Sequence, residues 1–188
     1  VVGSVNVYEA CRAAGCVKAV VSVTTDKVYR NREWEWGYRE NDPYGGHDPY
    51  SASKACAEVA TESYRDSFWP IATYGSGHGT LLATARAGNV VGGGDWAADR
   101  LVPDLMRAAA SGSKAAIRNP GSTRPWQHVL EPLCGYLLLG RKLVEGGTEF
   151  AQGWNFGPDA DGVVPVSVVV ERMEKAWSAV DVEFKPDP

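Results

Sequence analysis

Hydrophobic positions along the chain switch repeatedly between helical and strand spacing. Residues 5–14 carry Val5, Tyr8 and Cys11 on one face and stop at Gly15, which predicts a helix. Residues 17–23 then form a continuous, largely β-branched apolar run, the pattern of a parallel strand buried on both faces. Residues 29–49 are rich in Arg, Trp, Asn, Asp, Gly and Pro without periodicity, and at that length they read as a functional loop, such as a lid over a ligand. Residues 50–65 return to helical spacing, 70–79 form a polar loop, and 81–87 form a second apolar strand. That strand runs into Gly88-Asn89-Val90-Val91-Gly92-Gly93-Gly94-Asp95-Trp96, and glycine-bearing turns at strand ends are where open parallel sheets place ligands. Further on, residues 100–111 predict a helix ended by Gly112, 115–118 a short strand, and 131–144 and 166–177 two more helices. Polar loops separate them, notably 118–129 and 154–158. Helices alternating with buried strands predict an α/β fold.

Composition narrows the class. With 44% hydrophobic and 22% charged residues, the 188-residue chain has the make-up of an ordinary soluble globular protein. A net charge of -4 with scattered Lys and Arg argues against a nucleic-acid surface. Cys11, Cys16, Cys56 and Cys134 show no Cys-x-x-Cys spacing and fall in segments that read as helix. They are expected to be small buried apolar residues in a reducing compartment, with neither a disulfide nor a metal. His128 stands before Val129 and Leu130 and reads as a structural histidine; no His-x-His or His-x-x-x-His spacing suggests a metal site. No apolar run of about 18 residues and no charged-then-apolar leader occurs, so neither a membrane span nor a signal peptide is expected, and the setting is expected to be cytoplasmic. The chain lacks an initiating methionine and opens inside a helical pattern, which suggests a piece of a longer protein.

The candidate chemistry sits in two short runs. Tyr50 and Lys54 are four apart at the start of a helix, so both project from one face toward one ligand. An ammonium beside a phenol favours the phenolate and lowers a tyrosine pKa from its reference of about 10, which makes the phenol a base for a hydroxyl proton. Tyr-x-x-x-Lys is common in helices by chance; its place after Asp48-Pro49, with the strand leading to Thr25 upstream, adds weight. Thr25 can share a hydrogen bond with the same substrate hydroxyl. Arg118 and Arg124 suit an anion such as a pyrophosphate, although a loop arginine is more often simply solvated. Trp126 either stacks on a base or packs in the core.

Several runs together carry a resemblance: Val23-Thr-Thr-Asp-Lys-Val-Tyr29, Glu40-Asn-Asp-Pro43, Asp48-Pro-Tyr-Ser-Ala-Ser-Lys54, Ala85-Arg-Ala-Gly-Asn-Val-Val-Gly-Gly-Gly-Asp-Trp96, Asp99-Arg-Leu-Val-Pro-Asp104, Arg124-Pro-Trp-Gln-His-Val129 and Trp154-Asn-Phe-Gly-Pro158. Over almost its whole length the chain resembles the extended short-chain dehydrogenase/reductase family of NAD-dependent epimerases and dehydratases, and within it the CDP-sugar branch of the 4,6-dehydratases. The Tyr-x-x-x-Lys element is generic to the superfamily. The Ala85–Trp96 run and the Asp-Lys pair after Thr25 point to the CDP branch.

The resemblance implies a Rossmann-like, doubly wound parallel sheet, with residues 1–96 as the C-terminal part of the NAD-binding domain and 97–188 mainly a nucleotide-sugar-binding region. It implies NAD as cofactor and CDP-glucose as substrate. Tyr50 would take the C4 hydroxyl proton while hydride leaves C4, Lys54 would hold the nicotinamide ribose and depress the tyrosine pKa, and Thr25 would share the hydroxyl. The resulting C4 carbonyl acidifies the C5 proton, so a base for C5 and an acid for the C6 hydroxyl are needed; Asp26 and Lys27 fit those two jobs. The dTDP-sugar relatives have Asp-Glu at this pair, and Lys27 could act as base only if neutral. Arg86, Asn89, Arg118, Arg124 and Asn155 would contact the nucleotide sugar, Asn89 at the phosphates and Arg124 and Asn155 at pyrophosphate and nucleotide. The family's habit of pairing through the Tyr/Lys helix implies a homodimer.

The departure from the family is the lack of a Gly-x-x-Gly-x-x-Gly turn between a strand and a helix that would cradle a dinucleotide pyrophosphate. By comparison, the chain is expected to begin within the cofactor domain and to stop before the substrate domain ends. Its cofactor site would be incomplete and the sheet edge at residues 17–23 exposed, so poor solubility or an unstable monomer is expected of it alone. Besides a dehydratase, two readings stay open: a nucleotide-sugar 4-epimerase, which needs no acid/base pair beside Thr25, and a truncated, non-catalytic nucleotide-sugar-binding protein.

Overall fold

The structure, a computed structural model, describes residues 1–185. Its elements in chain order are α1 (Val2–Ala14), β1 (Ala19–Val23), α2 (Pro49–Phe68), β2 (Leu81–Ala87), β3 (Val90–Val91), α3 (Leu101–Ser111), β4 (Ala115–Ile117), β5 (Thr123–Pro125), β6 (Gln127–His128), α4 (Leu130–Val144), β7 (Gly153–Phe156), β8 (Val163–Pro165), α5 (Val166–Ala176) and β9 (Val182–Phe184). Short 3-10 turns occupy Asp26–Val28, Ile71–Thr73, Thr148–Phe150 and Ala160–Gly162. The chain divides into two units: Val1–Gly88 with Glu131–Phe156, and Asn89–Leu130 with the chain from Gly157 onward. This differs from a boundary after residue 96, because α4 and β7 return to the first unit.

The first unit is built on a parallel sheet in the order β1-β2-β7, with Ala19 opposite Leu81 and Thr84 opposite Gly153. β2 is the central strand, and residues 81–86 are all buried. Alternation along it divides its side chains between two cores. Leu81, Ala83 and Ala85 pack with Leu139 and Leu143 of α4 on one face. Leu82 packs with Tyr8 of α1 and with Trp69 on the other, where the Tyr8 hydroxyl bonds Ser22 Oγ at 2.8 Å and Thr61 Oγ1 of α2 at 2.7 Å. Helices on both faces of a parallel sheet are the doubly wound arrangement that the resemblance implies. The strand predicted over residues 17–23 begins at Ala19 and is only partly buried, with Val23 50% exposed, since β1 stands at the sheet edge.

In the second unit, α3 and α5 supply Leu105 and Val170 to a core that includes Ala115 and Ile117 of β4, and β4 pairs in parallel with β9. β5 runs antiparallel to β8, and β3 parallel to β6. Gly15 and Gly112 both take φ of 64° as left-handed caps ending α1 and α3, where a side chain would be strained. β3, β5, β6, β8 and β9 hold two or three residues each, too few to show a period. The run 154–158, read as a loop, contains most of β7: Trp154, Asn155 and Phe156 pair with β2, an assignment its Asn and flanking Gly obscured. The cysteines also differ from expectation. Cys16 lies beyond the α1 cap, and Cys16, Cys56 and Cys134 are exposed rather than buried, because the helix faces carrying the last two are not core faces.

Helix α4 approaches the sheet through glycine. A methyl at Gly135 would overlap the Phe156 ring, which stands edge-on to Tyr136 at 5.2 Å, whereas a methyl at Gly140 would meet only Val21 Cγ2 at 3.8 Å. Gly135→Ala is therefore expected to lower the melting temperature, because overpacking costs about 1–3 kcal/mol and exceeds the gain in helix propensity of roughly 1 kcal/mol. Gly140→Ala is expected to raise it. Thermal denaturation of both variants beside the parent checks the two signs, and a stabilising Gly135→Ala would refute the packing argument.

Candidate active site

The Tyr/Lys helix starts as its sequence requires. Asp48 is the N-cap, its carboxylate accepting the Ser51 amide at 3.0 Å and the Ser51 hydroxyl at 2.5 Å, and Pro49 fills the first turn. The Ser51 hydroxyl and amide hold the Asp48 carboxyl below its ordinary range, so an anion stands at the positive end of the helix dipole. Tyr50 is 52% exposed, and Lys54, one turn on and partly buried, places its Nζ 5.9 Å from the Tyr50 ring centroid.

The second element is the turn after β1. Thr24 is still held by the sheet, its amide donating to Ala85 O at 2.9 Å. Buried Thr25 then caps the 3-10 turn: its hydroxyl donates to Asp26 Oδ1 at 3.1 Å and accepts the Lys27 amide at 3.4 Å. Lys27 is exposed and Asp26 half-buried. Val28, at the end of the turn, is fully buried and packs with Ala55 of α2. Thr25, Asp26 and Lys27 thus stand on a turn docked against the helix that carries Tyr50 and Lys54.

Beneath the turn lies a polar cluster. Arg86, on the α2 side of β2, is 2% exposed and pairs with fully buried Glu58 of α2. A guanidinium has five N–H donors. All are spent: Nε and Nη2 bond the two Glu58 carboxylate oxygens at 2.9 and 2.8 Å, Nη1 bonds Tyr29 Oη at 2.6 Å and Glu40 O at 3.0 Å, and Nη2 also bonds Tyr44 Oη at 2.6 Å. Burial works against the arginine's charge, but the Glu58 carboxylate outweighs it and holds the guanidinium above its ordinary range. Burial pushes the Tyr29 and Tyr44 phenols up, Tyr44 further through its bond to Glu62 Oε1 at 2.6 Å, so both remain neutral donors.

One expected substrate contact is corrected by this cluster. Arg86 has no donor left for a phosphate. Asn155 is engaged by the loop but keeps one Nδ2 hydrogen: Oδ1 accepts Tyr29 Oη at 2.7 Å, Nδ2 donates to Tyr38 O at 3.0 Å, and its amide donates to Glu40 Oε1 at 2.9 Å. The two residues clamp the 29–49 loop. Its base is closed by Arg30 N to Pro43 O at 2.9 Å and Gly45 N to Val28 O at 2.8 Å, and Tyr29 stacks on Tyr38 at 5.2 Å. The partners that sequence reading missed are Thr24, Glu58, Tyr29, Tyr44 and Glu40. A signal for Glu58 was present, since it continues the four-residue spacing of Tyr50 and Lys54.

Asn89, Arg118 and Arg124 belong to the second unit. The Asn89 carbonyl accepts the Gln127 amide at 3.2 Å. Arg118 and Asp99 form an exposed pair at 3.5 Å, and Arg124, exposed on β5, donates to Thr123 O at 2.8 Å. Trp126 Nε1 donates to Val164 O at 3.1 Å, which favours packing over an open stacking face. His128 has a structural place, its Nδ1 accepting the Leu130 amide at 3.3 Å at the start of α4.

The first unit therefore offers an accessible phenol with an ammonium one turn away, beside a turn presenting a hydroxyl, a carboxylate and an amine. Such a set can take a proton from an alcohol, and can move protons at a neighbouring carbon and its leaving group. The profile of the NAD dependent epimerase/dehydratase family matches residues 1–150. The CDP-glucose 4,6-dehydratase of Salmonella typhimurium (strain LT2) is 51% identical over 177 residues, covering 94% of this chain and 49% of that protein. The chain spans about half the length of this curated relative. Among solved structures, dTDP-glucose 4,6-dehydratase from Bacillus anthracis in complex with NAD superposes with a TM-score of 0.74 at 23% identity, over 100% of this chain and 55% of that one. A UDP-N-acetylglucosamine 4-epimerase from Methanobrevibacter ruminantium M1 gives 0.77 at 18% identity, over 98% and 55%. At such identities the likeness speaks for the Rossmann-like fold alone. With the family profile covering most of its length, the chain belongs to the NAD-dependent epimerase/dehydratase family.

Proposed function

We propose that this chain carries the proton-transfer half of a CDP-glucose 4,6-dehydratase, a hydro-lyase that converts CDP-D-glucose to CDP-4-dehydro-6-deoxy-D-glucose. The observation that carries the reading is the docking of the Asp26-Lys27 turn against the Tyr50/Lys54 helix, supported by 51% identity to the Salmonella enzyme. A nucleotide-sugar 4-epimerase would use Tyr50, Lys54 and Thr25 without need of an acid/base pair, so Asp26 and Lys27 favour the dehydratase.

The chain's residues fit the nicotinamide end of NAD: Lys54 stands beside Tyr50 on an accessible helix start and would hold the ribose hydroxyls. When bound, NAD accepts hydride from the sugar C4 and returns it to C6. Tyr50 takes the C4 hydroxyl proton as the ketone forms, while Thr25 hydrogen-bonds the same oxygen. The ketone acidifies the C5–H bond. Of Asp26 and Lys27, one removes the C5 proton and the other protonates the C6 hydroxyl, which departs as water; hydride at C6 and a proton at C5 complete the product. The sum is loss of one water with no net oxidation.

Asn89, Arg118 and Arg124 would bind the nucleotide diphosphate, the two guanidiniums being exposed enough to meet phosphate oxygens. Four free cysteines, three of them exposed, support a cytoplasmic setting. Among the described residues no helix is long and apolar enough to cross a membrane. Exposed Cys56, Val59 and Ser63, spaced three and four apart on α2, form an accessible stripe that supports a homodimer through that helix.

The protein as encoded by its gene, given NAD and CDP-glucose, tests the reading. Tyr50→Phe is expected to lower kcat by about 10²–10⁴-fold, the usual contribution of a positioned base. Asp26→Asn is expected to stop loss of water, followed by product mass, while part of the bound NAD stays reduced, followed by NADH absorbance. Unchanged dehydration by Asp26→Asn would rule out its proton-transfer role, and a 4-epimer as the product of the parent protein would replace the dehydratase reading.

A further inference from the structure

Tyr50, Lys54 and Glu58 follow one another at intervals of four and form a single stripe down α2. The first two are accessible to a ligand, and the third is 0% exposed. We propose that Glu58 is the positioning residue of the site, holding the turn that bears Thr25, Asp26 and Lys27 in register with the helix that bears Tyr50 and Lys54; this rests on the reading of those five residues given above.

The geometry is a clasp with two ends. At the front of the turn, Thr24 Oγ1 donates to Glu58 Oε1, and the next residue is Thr25. At the back, Tyr29 closes the turn through its amide to Asp26 O at 3.4 Å, and its hydroxyl receives Arg86 Nη1 at 2.6 Å. Arg86 is in turn fixed by both oxygens of Glu58. The reacting turn is therefore slung between Thr24 and Tyr29, and both are held by one ion pair whose carboxylate belongs to the Tyr/Lys helix. Backbone pairing alone does not do this: it holds Thr24 to β2 through its amide and sets nothing between the turn and α2. A shift of about 1 Å at reacting groups costs on the order of 10²-fold in rate, so a carboxylate that never meets substrate can govern turnover.

Thr24→Val keeps the side-chain shape and leaves the ion pair intact while removing the hydroxyl that ties the turn to Glu58. In the protein as encoded by its gene, assayed with NAD and CDP-glucose where circular dichroism shows full folding, it is expected to lower kcat about ten- to a hundredfold and leave KM for CDP-glucose within about twofold. Thr24→Ser, which restores the hydroxyl, is expected to recover kcat. Should Thr24→Val not fold, Glu58→Asp, which withdraws the carboxylate by one methylene, takes its place with the same expectation. An unchanged kcat in Thr24→Val, or in Glu58→Asp where it takes that variant's place, or a Thr24→Ser as slow as Thr24→Val, would overturn the positioning role while the parent's turnover upheld the dehydratase reading. No turnover by the parent would overturn that reading and this inference with it.

Discussion

A carboxylate and a guanidinium removed from water together cost several kcal/mol each in lost hydration, and the pair is tolerable only when its remaining hydrogen-bonding capacity is filled. Glu58 and Arg86 meet that condition through Thr24, Tyr29, Tyr44 and the Glu40 carbonyl. Much of the first unit follows from satisfying them. Gly153 faces Arg86 from β7, and a methyl there would overlap the guanidinium. The 29–49 loop folds back so that Glu40 and Tyr44 complete the arginine's donor set, and Asn155 seals it by bonding Tyr29, Tyr38 and Glu40. Removing one member of a buried pair typically costs about 3–5 kcal/mol, a large part of the roughly 5–15 kcal/mol that keeps a domain folded.

The same pair separates tyrosines by task. Tyr29 and Tyr44, raised by burial, serve as neutral hydrogen-bond donors inside the protein. Tyr50 stands outside that cluster at the head of α2, beside Lys54 and open to a ligand. Burial and helix position, rather than residue type, thus set one accessible phenol apart from several close in sequence.

Local signals in the sequence were read well where they act over a few residues. The glycines ending α1 and α3, the Asp-Pro start of α2 and the buried run of β2 each carry their own physical cause within one turn or strand. The Thr25 turn and the Tyr50/Lys54 helix were legible for the same reason. What stayed hidden was pairing across distance. Arg86 looks like a ligand contact as an isolated polar residue; only the fold shows that partners from residues 29–58 consume its hydrogen bonds. β7 hid because four residues with an asparagine in the middle make no pattern until β2 lies alongside. The cysteines were misplaced because helical spacing does not say which face a helix buries.

The interleaved path of the chain bears on how the protein is made. The chain leaves the first unit after Gly88 and re-enters it only at Glu131, so β2 emerges from the ribosome well before its neighbour β7 and the helix that covers its second face. Until Asn89–Leu130 has been synthesised, Leu81, Ala83 and Ala85 have no α4 to bury them. Contacts of such long sequence separation form slowly and leave apolar surface open in the interval. Synthesis of this protein thus contains a stage in which one apolar face of the central strand stands open to any other apolar surface it meets.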